Sequence, residues 1–437
     1  MRRESIDFVI EGGYKLTGET TVNASKNGAM GLMCAALLNK KSTLLKNIPR
    51  IEEVNRIIEV MNSIGVTTEW ITQKDLKIIP PTSYSMDTID RESAVKTRTI
   101  LMFMGALIHC LNKFEIPHSQ GCKLGERTAA AHIYALEEMG IDIEVKTDRY
   151  VITRKELHAA DFPMFEAGDT ACENALLTAA LIPGITTIRF ASSNYMVQDV
   201  CLFLATCGVK IEGIGTSTLT IHGIQEINQD IEFTNSEDPI EAMMFVTAAV
   251  VTDSELIIRR VPIDFMTLEL YRMKLMGLKY DQTPIYLSHN RHTRLTDITV
   301  HPSKLTALPE KIHALPYPGI NMDNLPFFVP LAIKASGDTM IHDWSYETRA
   351  IYYMEMTKLG ADMILADPHR IYIKGTGKFK AGEVVSPPAL RPAMIVMLGM
   401  LAAPGTSILR NVYSINRGYE EITERLNAIG AHIEVEK

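Results

Sequence analysis

Residues 43–66 read TLLKNIPRIEEVNRIIEVMNSIGV: a short apolar strand, a turn, an amphipathic helix, then a hydrophobic–glycine step. The same order returns as KFEIPHSQGCKLGERTAAAHIYALEEMGI from 113, TTIRFASSNYMVQDVCLFLATCGV from 186 and ELIIRRVPIDFMTLELYRMKLMGL from 255. It closes with TMIHDWSYETRAIYYMEMTKLGA from 339 and TSILRNVYSINRGYEEITERLNAIGA from 406. The marker glycines are Gly65, Gly140, Gly208, Gly277, Gly360 and Gly430, a period of roughly 70 to 80 residues, too long for the common solenoid repeats. Each glycine follows an amphipathic helix, which predicts a left-handed C-terminal cap.

Before each copy stands a second helical segment of small and apolar residues: GAMGLMCAALL, TILMFMGALIHCL, ENALLTAALI, EAMMFVTAAVV, LPFFVPLAIKA and AMIVMLGMLAA. A helix apolar on all sides is a buried helix. Each unit therefore reads as βαβα followed by strands, and six such units predict an α/β protein of two pseudo-threefold domains. A length of 437 residues independently favours two domains.

Composition narrows the class. Hydrophobic residues make up 46% and charged residues 22% of the chain, as in a soluble globular protein. The net charge of −8 argues against a broad nucleic-acid surface, though not against a local cationic pocket. The apolar stretches TILMFMGALIHCL and PAMIVMLGMLAAPG fall short of the roughly 20 residues a membrane span requires. The start, MRRESIDFVIEGGY, carries acids where a signal peptide needs an apolar run. These features predict a cytoplasmic protein with no membrane partner. Its six cysteines form no CxxC pair and no zinc-like spacing, so no metal is expected. Cys34, Cys110, Cys201 and Cys207 lie in helical apolar surroundings, where a thiol acts as a small hydrophobe.

Where six copies share a scaffold, the positions at which one copy departs are informative. The buried helices begin NASKN, VKTRT, GDTACEN, EDPIE, MDNLP and ALRPA. Helix N-termini present free N–H groups and suit anions. Lys26, Arg98 and Arg391 add cations at three of these starts. Asp169, Asp238 and Asp323 put carboxylates at the others, with an N-cap the simplest role for Asp169 and Asp238. Arg349 in SYETRA and Arg417 in SINRGYE mark the turns of the other helix set. In the second copy Cys122 sits on a glycine-flanked turn beside Lys123 and Arg127, a setting that lowers a thiol pKa.

Taken together, these segments resemble the enolpyruvyl transferases from end to end. LTGETTVNASKNGAMGLMCAALL is similar to the family's Lys-Asn signature (Lys26, Asn27), and GCKLGER to its cysteine loop (Cys122, Arg127). YPGINMDN is similar to the segment of its aspartate base (Asp323), while ALRPA and INRGYE match segments with two phosphoenolpyruvate-binding arginines (Arg391, Arg417). Arg98 and Arg349 fall at similar positions.

The resemblance implies two inside-out α/β domains of three βαβαββ repeats each. Residues 23–231 would form the domain carrying the cysteine loop, residues 1–22 and 232–437 the second, with the active site in the cleft between them. It implies transfer of the enolpyruvyl group of phosphoenolpyruvate to the 3-hydroxyl of UDP-N-acetylglucosamine, releasing phosphate, as in the first committed step of peptidoglycan synthesis. No cofactor is implied. Cys122 would donate a proton to the methylene carbon, Asp323 would take the acceptor's proton, and Lys26, Arg127, Arg391 and Arg417 would hold phosphate and carboxylate.

The chain departs from the family pattern on the acceptor side. Thr128, Ala129 and Ala130 stand where the family has Pro-Val-Asp, and Gly168, Asp169 and Thr170 where it has Ser-Val-Gly. Pro388 and Ala389 replace the segment that usually carries an aspartate before the arginine of ALRPA. Two other readings follow: a different nucleotide or nucleoside acceptor, or a non-catalytic paralogue that binds a phosphate ligand.

Overall fold

The computed structural model describes residues 6–119 and 128–436. They divide into two compact units, one of residues 24–119 with 128–236 and one of residues 6–23 with 237–436.

In the first of these, the helices Lys26–Ala36 and Asp169–Ala180 pack with the 3-10 turn Arg98–Met102 and its continuation Phe103–Leu107. Their side chains are almost wholly buried, as their all-round apolar composition requires. Three sheets accompany them. One orders Ile231–Thr234, Thr43–Lys46, Leu76–Ile79 and Thr67–Trp70; the next orders Lys113–Pro117, Arg149–Arg154 and Ile141–Val145. The third orders Lys210–Glu212, Thr218–Gly223, Gly184–Arg189 and Asp161–Pro163.

The other unit repeats the plan. Its buried helices are Pro239–Val251, Phe328–Lys334 (entered through the 3-10 turn Leu325–Phe327) and Leu390–Ala402, which pack on one another in a continuous core. All residues of Pro239–Val251 are buried. The sheets are Glu383–Val385, Gly405–Arg410, Asp7–Gly12 and His432–Glu436; Lys279–Gln282, Arg294–His301, Leu256–Pro262 and Glu19–Thr21; and Ile312–His313, Gly337–His342, Arg370–Gly375 and Asp362–Asp367. Three sheets and three buried helices per unit is the sixfold pattern expected from the repeats.

How the repeats close is a matter of distant segments. Ile231–Thr234 completes the sheet of the first repeat, parallel to Thr43–Lys46. Glu19–Thr21 runs parallel to Leu256–Pro262, and Asp7–Gly12 inserts antiparallel between Gly405–Arg410 and His432–Glu436. Cys110 departs from its expected apolar setting: it follows the short helix Phe103–Leu107 in a turn and is exposed.

All six marker glycines have positive φ, between 85° and 111°. At Gly140 (φ 87°) a Cβ would also lie 2.1 Å from the carbonyl oxygen of Glu156, whereas at Gly208 (φ 95°) it would meet nothing within 4 Å. Gly208→Ala is expected to cost about 1–3 kcal/mol of backbone strain, and Gly140→Ala more than that because the Glu156 backbone must also move. Urea unfolding of the two variants checks the order: equal stability would contradict the crowding at Glu156, and no loss in either would contradict the cap assignment.

Candidate active site

In the unit of residues 6–23 and 237–436, Asp323 occupies the turn leading into the Leu325–Phe327 3-10 segment. That turn is fixed from below by buried Glu269 on helix Thr267–Met276. Its Oε1 accepts from Asn321 N at 3.0 Å and from Asn324 Nδ2 at 2.9 Å, while Asn321 Oδ1 accepts from Asp323 N at 2.8 Å. Burial raises the Glu269 pKa, against the lowering effect of the Asn324 and Asn321 bonds.

Two guanidinium groups flank Asp323. Arg391 donates from Nη2 to Asp323 Oδ2 at 3.3 Å, and from Nη1 to the Tyr419 hydroxyl at 2.9 Å. Arg349 brings Nη1 to 3.9 Å from Asp323 Oδ1. Its Nε and Nη2 donate to the two oxygens of Asp343 at 2.6 and 2.8 Å. Burial pushes the Tyr419 phenol pKa upward, so the hydroxyl stays neutral beside Arg391. Neither Arg349 nor Arg391 is a solvated surface arginine: they are 1% and 5% exposed. Arg417 directly follows helix Tyr413–Asn416 and is half-buried, two residues before Tyr419.

In the unit of residues 24–119 and 128–236, Lys26 and Asn27 open helix Lys26–Ala36, capped by Ser25, whose Oγ accepts from Gly28 N at 2.9 Å. Asn235 Nδ2 donates to Ser25 O at 2.8 Å, and Ser236 Oγ donates to Asp199 Oδ2 at 2.5 Å. Gly28 is required by this crowding: a Cβ there would lie 2.6 Å from Asn235 Oδ1 and 2.9 Å from Asp199 Oδ2. Arg98 begins the Arg98–Met102 turn and donates from Nη2 to Thr128 O at 2.8 Å. It thereby reaches Thr128, the first residue of the Thr128–Ala130 segment that departs from the family pattern. Cys122, Lys123 and Arg127 lie outside the described residues.

The helix-start aspartates behave differently from one another. Asp238 caps Pro239–Val251, accepting from Ile240 N at 2.8 Å. Asp169 does not cap: Gly168 holds that position, and Asp169, one residue inside the helix, instead accepts from Ser192 Oγ at 2.6 Å and Asn194 Nδ2 at 3.1 Å. Its neighbour Thr170 pairs through Oγ1 with His132 Nε2 at 3.4 Å, while His132 Nδ1 faces Asn174 Nδ2 at 3.2 Å. An amide N–H directed at Nδ1 makes that nitrogen the acceptor and leaves the ring proton on Nε2. Glu269, Asp343, Tyr419, Asp199, Asn235 and His132 are among the polar residues the sequence did not single out. Asp343 stands six positions before Arg349, a spacing that carries no helical signal.

A sequence model of the family described as EPSP synthase (3-phosphoshikimate 1-carboxyvinyltransferase) matches residues 10–426. UDP-N-acetylglucosamine 1-carboxyvinyltransferase of Treponema denticola is 32% identical over 433 residues, covering 99% of both chains. The enzyme of the same name from Bradyrhizobium diazoefficiens is 30% identical over 430 residues, covering 98% of this chain and 97% of its own. Among solved structures, the enolpyruvyl transferase NikO of Streptomyces tendae superposes with a TM-score of 0.85 at 21% identity, covering 99% of each chain. EPSP synthase of Acinetobacter baumannii gives a TM-score of 0.76 at 19% identity, covering 99% of this chain and all of its own. These two likenesses carry the fold, which is that of the enolpyruvyl transferases. Matched along nearly its whole length by the family model and by relatives named as carboxyvinyltransferases, the chain belongs to the enolpyruvyl (carboxyvinyl) transferase family.

Proposed function

We propose that the protein transfers the carboxyvinyl group of phosphoenolpyruvate to the 3-hydroxyl of UDP-N-acetylglucosamine and releases phosphate. The observation that carries this reading is full-length identity of 30–32% to relatives named for that reaction. The cationic surroundings of Asp323 support it independently.

The chemistry needs a base at the acceptor oxygen and an acid at the methylene carbon. Asp323 takes the hydroxyl proton as that oxygen bonds to the central carbon of phosphoenolpyruvate. Cys122 protonates the methylene carbon, giving a tetrahedral intermediate. Loss of a methyl proton and departure of phosphate then form the enol ether. Lys26, Asn27, Arg98, Arg127, Arg349, Arg391 and Arg417 serve as substrate-binding groups, the cations balancing a ligand of about three negative charges. The two charged, phosphorylated substrates do not cross membranes unaided, which favours a cytoplasmic setting. Among the described residues no helix is long and apolar enough to span a membrane.

A second acceptor remains as an alternative for one specific reason. Asp169 places a carboxylate at the start of the Asp169–Ala180 helix, in the segment that departs from the family on the nucleotide side. Phosphate release should depend on UDP-N-acetylglucosamine and not on shikimate 3-phosphate. Release from phosphoenolpyruvate with shikimate 3-phosphate as the sole acceptor would overturn the assignment. Cys122→Ser is expected to fold normally and lose turnover by at least about 100-fold, read by the same assay. Undiminished turnover would remove Cys122 from the acid role.

A further inference from the structure

We propose that Asp343, supported by Tyr353, is a positioning residue that fixes the Arg349 guanidinium and balances its charge beside Asp323. The inference rests on the reading in which Asp323 is the base, and it explains a charge arrangement that this reading leaves open.

Arg349, Asp343 and Tyr353 are each at most 1% exposed. A buried guanidinium needs a counter-charge and partners for its donors. Asp343 supplies both: Oδ2 accepts from Arg349 Nε at 2.6 Å and Oδ1 from Nη2 at 2.8 Å, a planar two-point grip. Tyr353 donates its hydroxyl to the same Oδ2 at 2.7 Å. The Tyr346 ring lies 4.2 Å from the guanidinium carbon and covers its face. Gripped along one edge and stacked on one face, the group has a single orientation. That orientation leaves Nη1 toward Asp323 Oδ1 at 3.9 Å, beyond hydrogen-bond range, so Asp323 feels a charge there and not a bond.

Among the described residues, the groups facing Asp323 include Arg349 and Arg391, with Asp343, Tyr346, Tyr353 and Tyr419 behind them, Asp238 and Glu241 beyond Tyr419, and Glu269 under its turn. Without the Asp343 carboxylate the buried charge of Arg349 would bear on Asp323 less opposed, holding that carboxylate ionised and making it a poorer base. An ionised Asp343 opposes the charge of Arg349 from the far side of the guanidinium. The clamp thus sets both the place of Arg349 and the basicity of Asp323, without Asp343 touching substrate.

The test is a carbon-13 NMR titration of Asp-labelled protein, with the Asp323 signal assigned by its loss in Asp323→Asn. Asp343→Asn keeps the side-chain shape and removes the charge; it is expected to lower the Asp323 midpoint by about 1 pH unit. Asp343→Glu should restore it to near the wild-type value. In steady-state assays Asp343→Asn is expected to lower kcat at least about threefold, with the phosphoenolpyruvate KM little changed. An unmoved midpoint in folded Asp343→Asn overturns the proposal. If that variant does not fold, Tyr353→Phe takes its place: exchange of the Arg349 Nε proton should speed up at least tenfold, and unchanged exchange would count equally against it. The titration needs no turnover. A shifted midpoint in a protein whose wild type transfers nothing would therefore sink the assignment of the reaction while sustaining the charge balance.

Discussion

Asp323→Asn should fold like the wild type and lose carboxyvinyl transfer by about 100- to 10,000-fold, the range associated with removing a positioned general base. The isosteric amide can still accept from Arg391 Nη2, whose bond to Oδ2 is 3.3 Å, and Asn321 can still hold the backbone N–H. Binding of phosphoenolpyruvate should be weakened little, because the amide subtracts a negative charge from the anion's surroundings. The loss should therefore appear in kcat. Calorimetric titration with phosphoenolpyruvate beside initial-rate kinetics separates the two. A variant with near wild-type kcat would mean that another group takes the acceptor proton.

The second large effect concerns stability. Glu173 lies on the buried face of helix Asp169–Ala180 at 1% exposure, and its Oε1 has no hydrogen-bond partner among the described residues. Gly31 of the neighbouring helix Lys26–Ala36 admits it: a Cβ on that glycine would stand 2.7 Å from the same oxygen. Burial raises the carboxyl pKa well above its ordinary value, with the charges of Asp169 and Asp199 adding to the effect. The folded protein therefore holds this proton more tightly than the unfolded chain. Stability from this group is fully present below the unfolded pKa and is lost as pH rises toward the folded one. Glu173→Gln removes the dependence. Its advantage over the wild type should grow by about 1.4 kcal/mol per pH unit above about pH 4.3, until the folded-state pKa is reached. Thermal unfolding of both proteins at pH 5 and pH 7.5 measures it. A difference that is the same at both pH values would show that Glu173 is ionised in the folded state.

The fold was legible because its signal is repeated. One hydrophobic–glycine step would mean little, but six at a common period, each requiring a left-handed cap, specify six copies of one unit. All six glycines adopt that conformation. Closure of the sheets was not legible, since Ile231–Thr234, Glu19–Thr21 and Asp7–Gly12 join partners far away in sequence, and local pattern carries no register between them. Asp238 behaved as its position predicts, whereas Asp169 sits one residue too far into its helix to cap and finds partners in the loop before the next helix. Side chains proposed to act on substrate could be marked by their charge at a helix start. Those that hold them, Asp343 and Tyr419, could not, because nothing in a lone aspartate or tyrosine says which arginine it will face.

The destination of the carboxyvinyl group decides the function. The most direct measurement is mass spectrometry and NMR of the nucleotide recovered after incubation with phosphoenolpyruvate and UDP-N-acetylglucosamine. The expected product is the sugar nucleotide carrying one carboxyvinyl group as an enol ether on the 3-oxygen, with one phosphate released for each. Recovery of unmodified nucleotide from protein that still binds phosphoenolpyruvate would contradict the assigned acceptor, and would direct the search to another hydroxyl-bearing nucleotide or nucleoside.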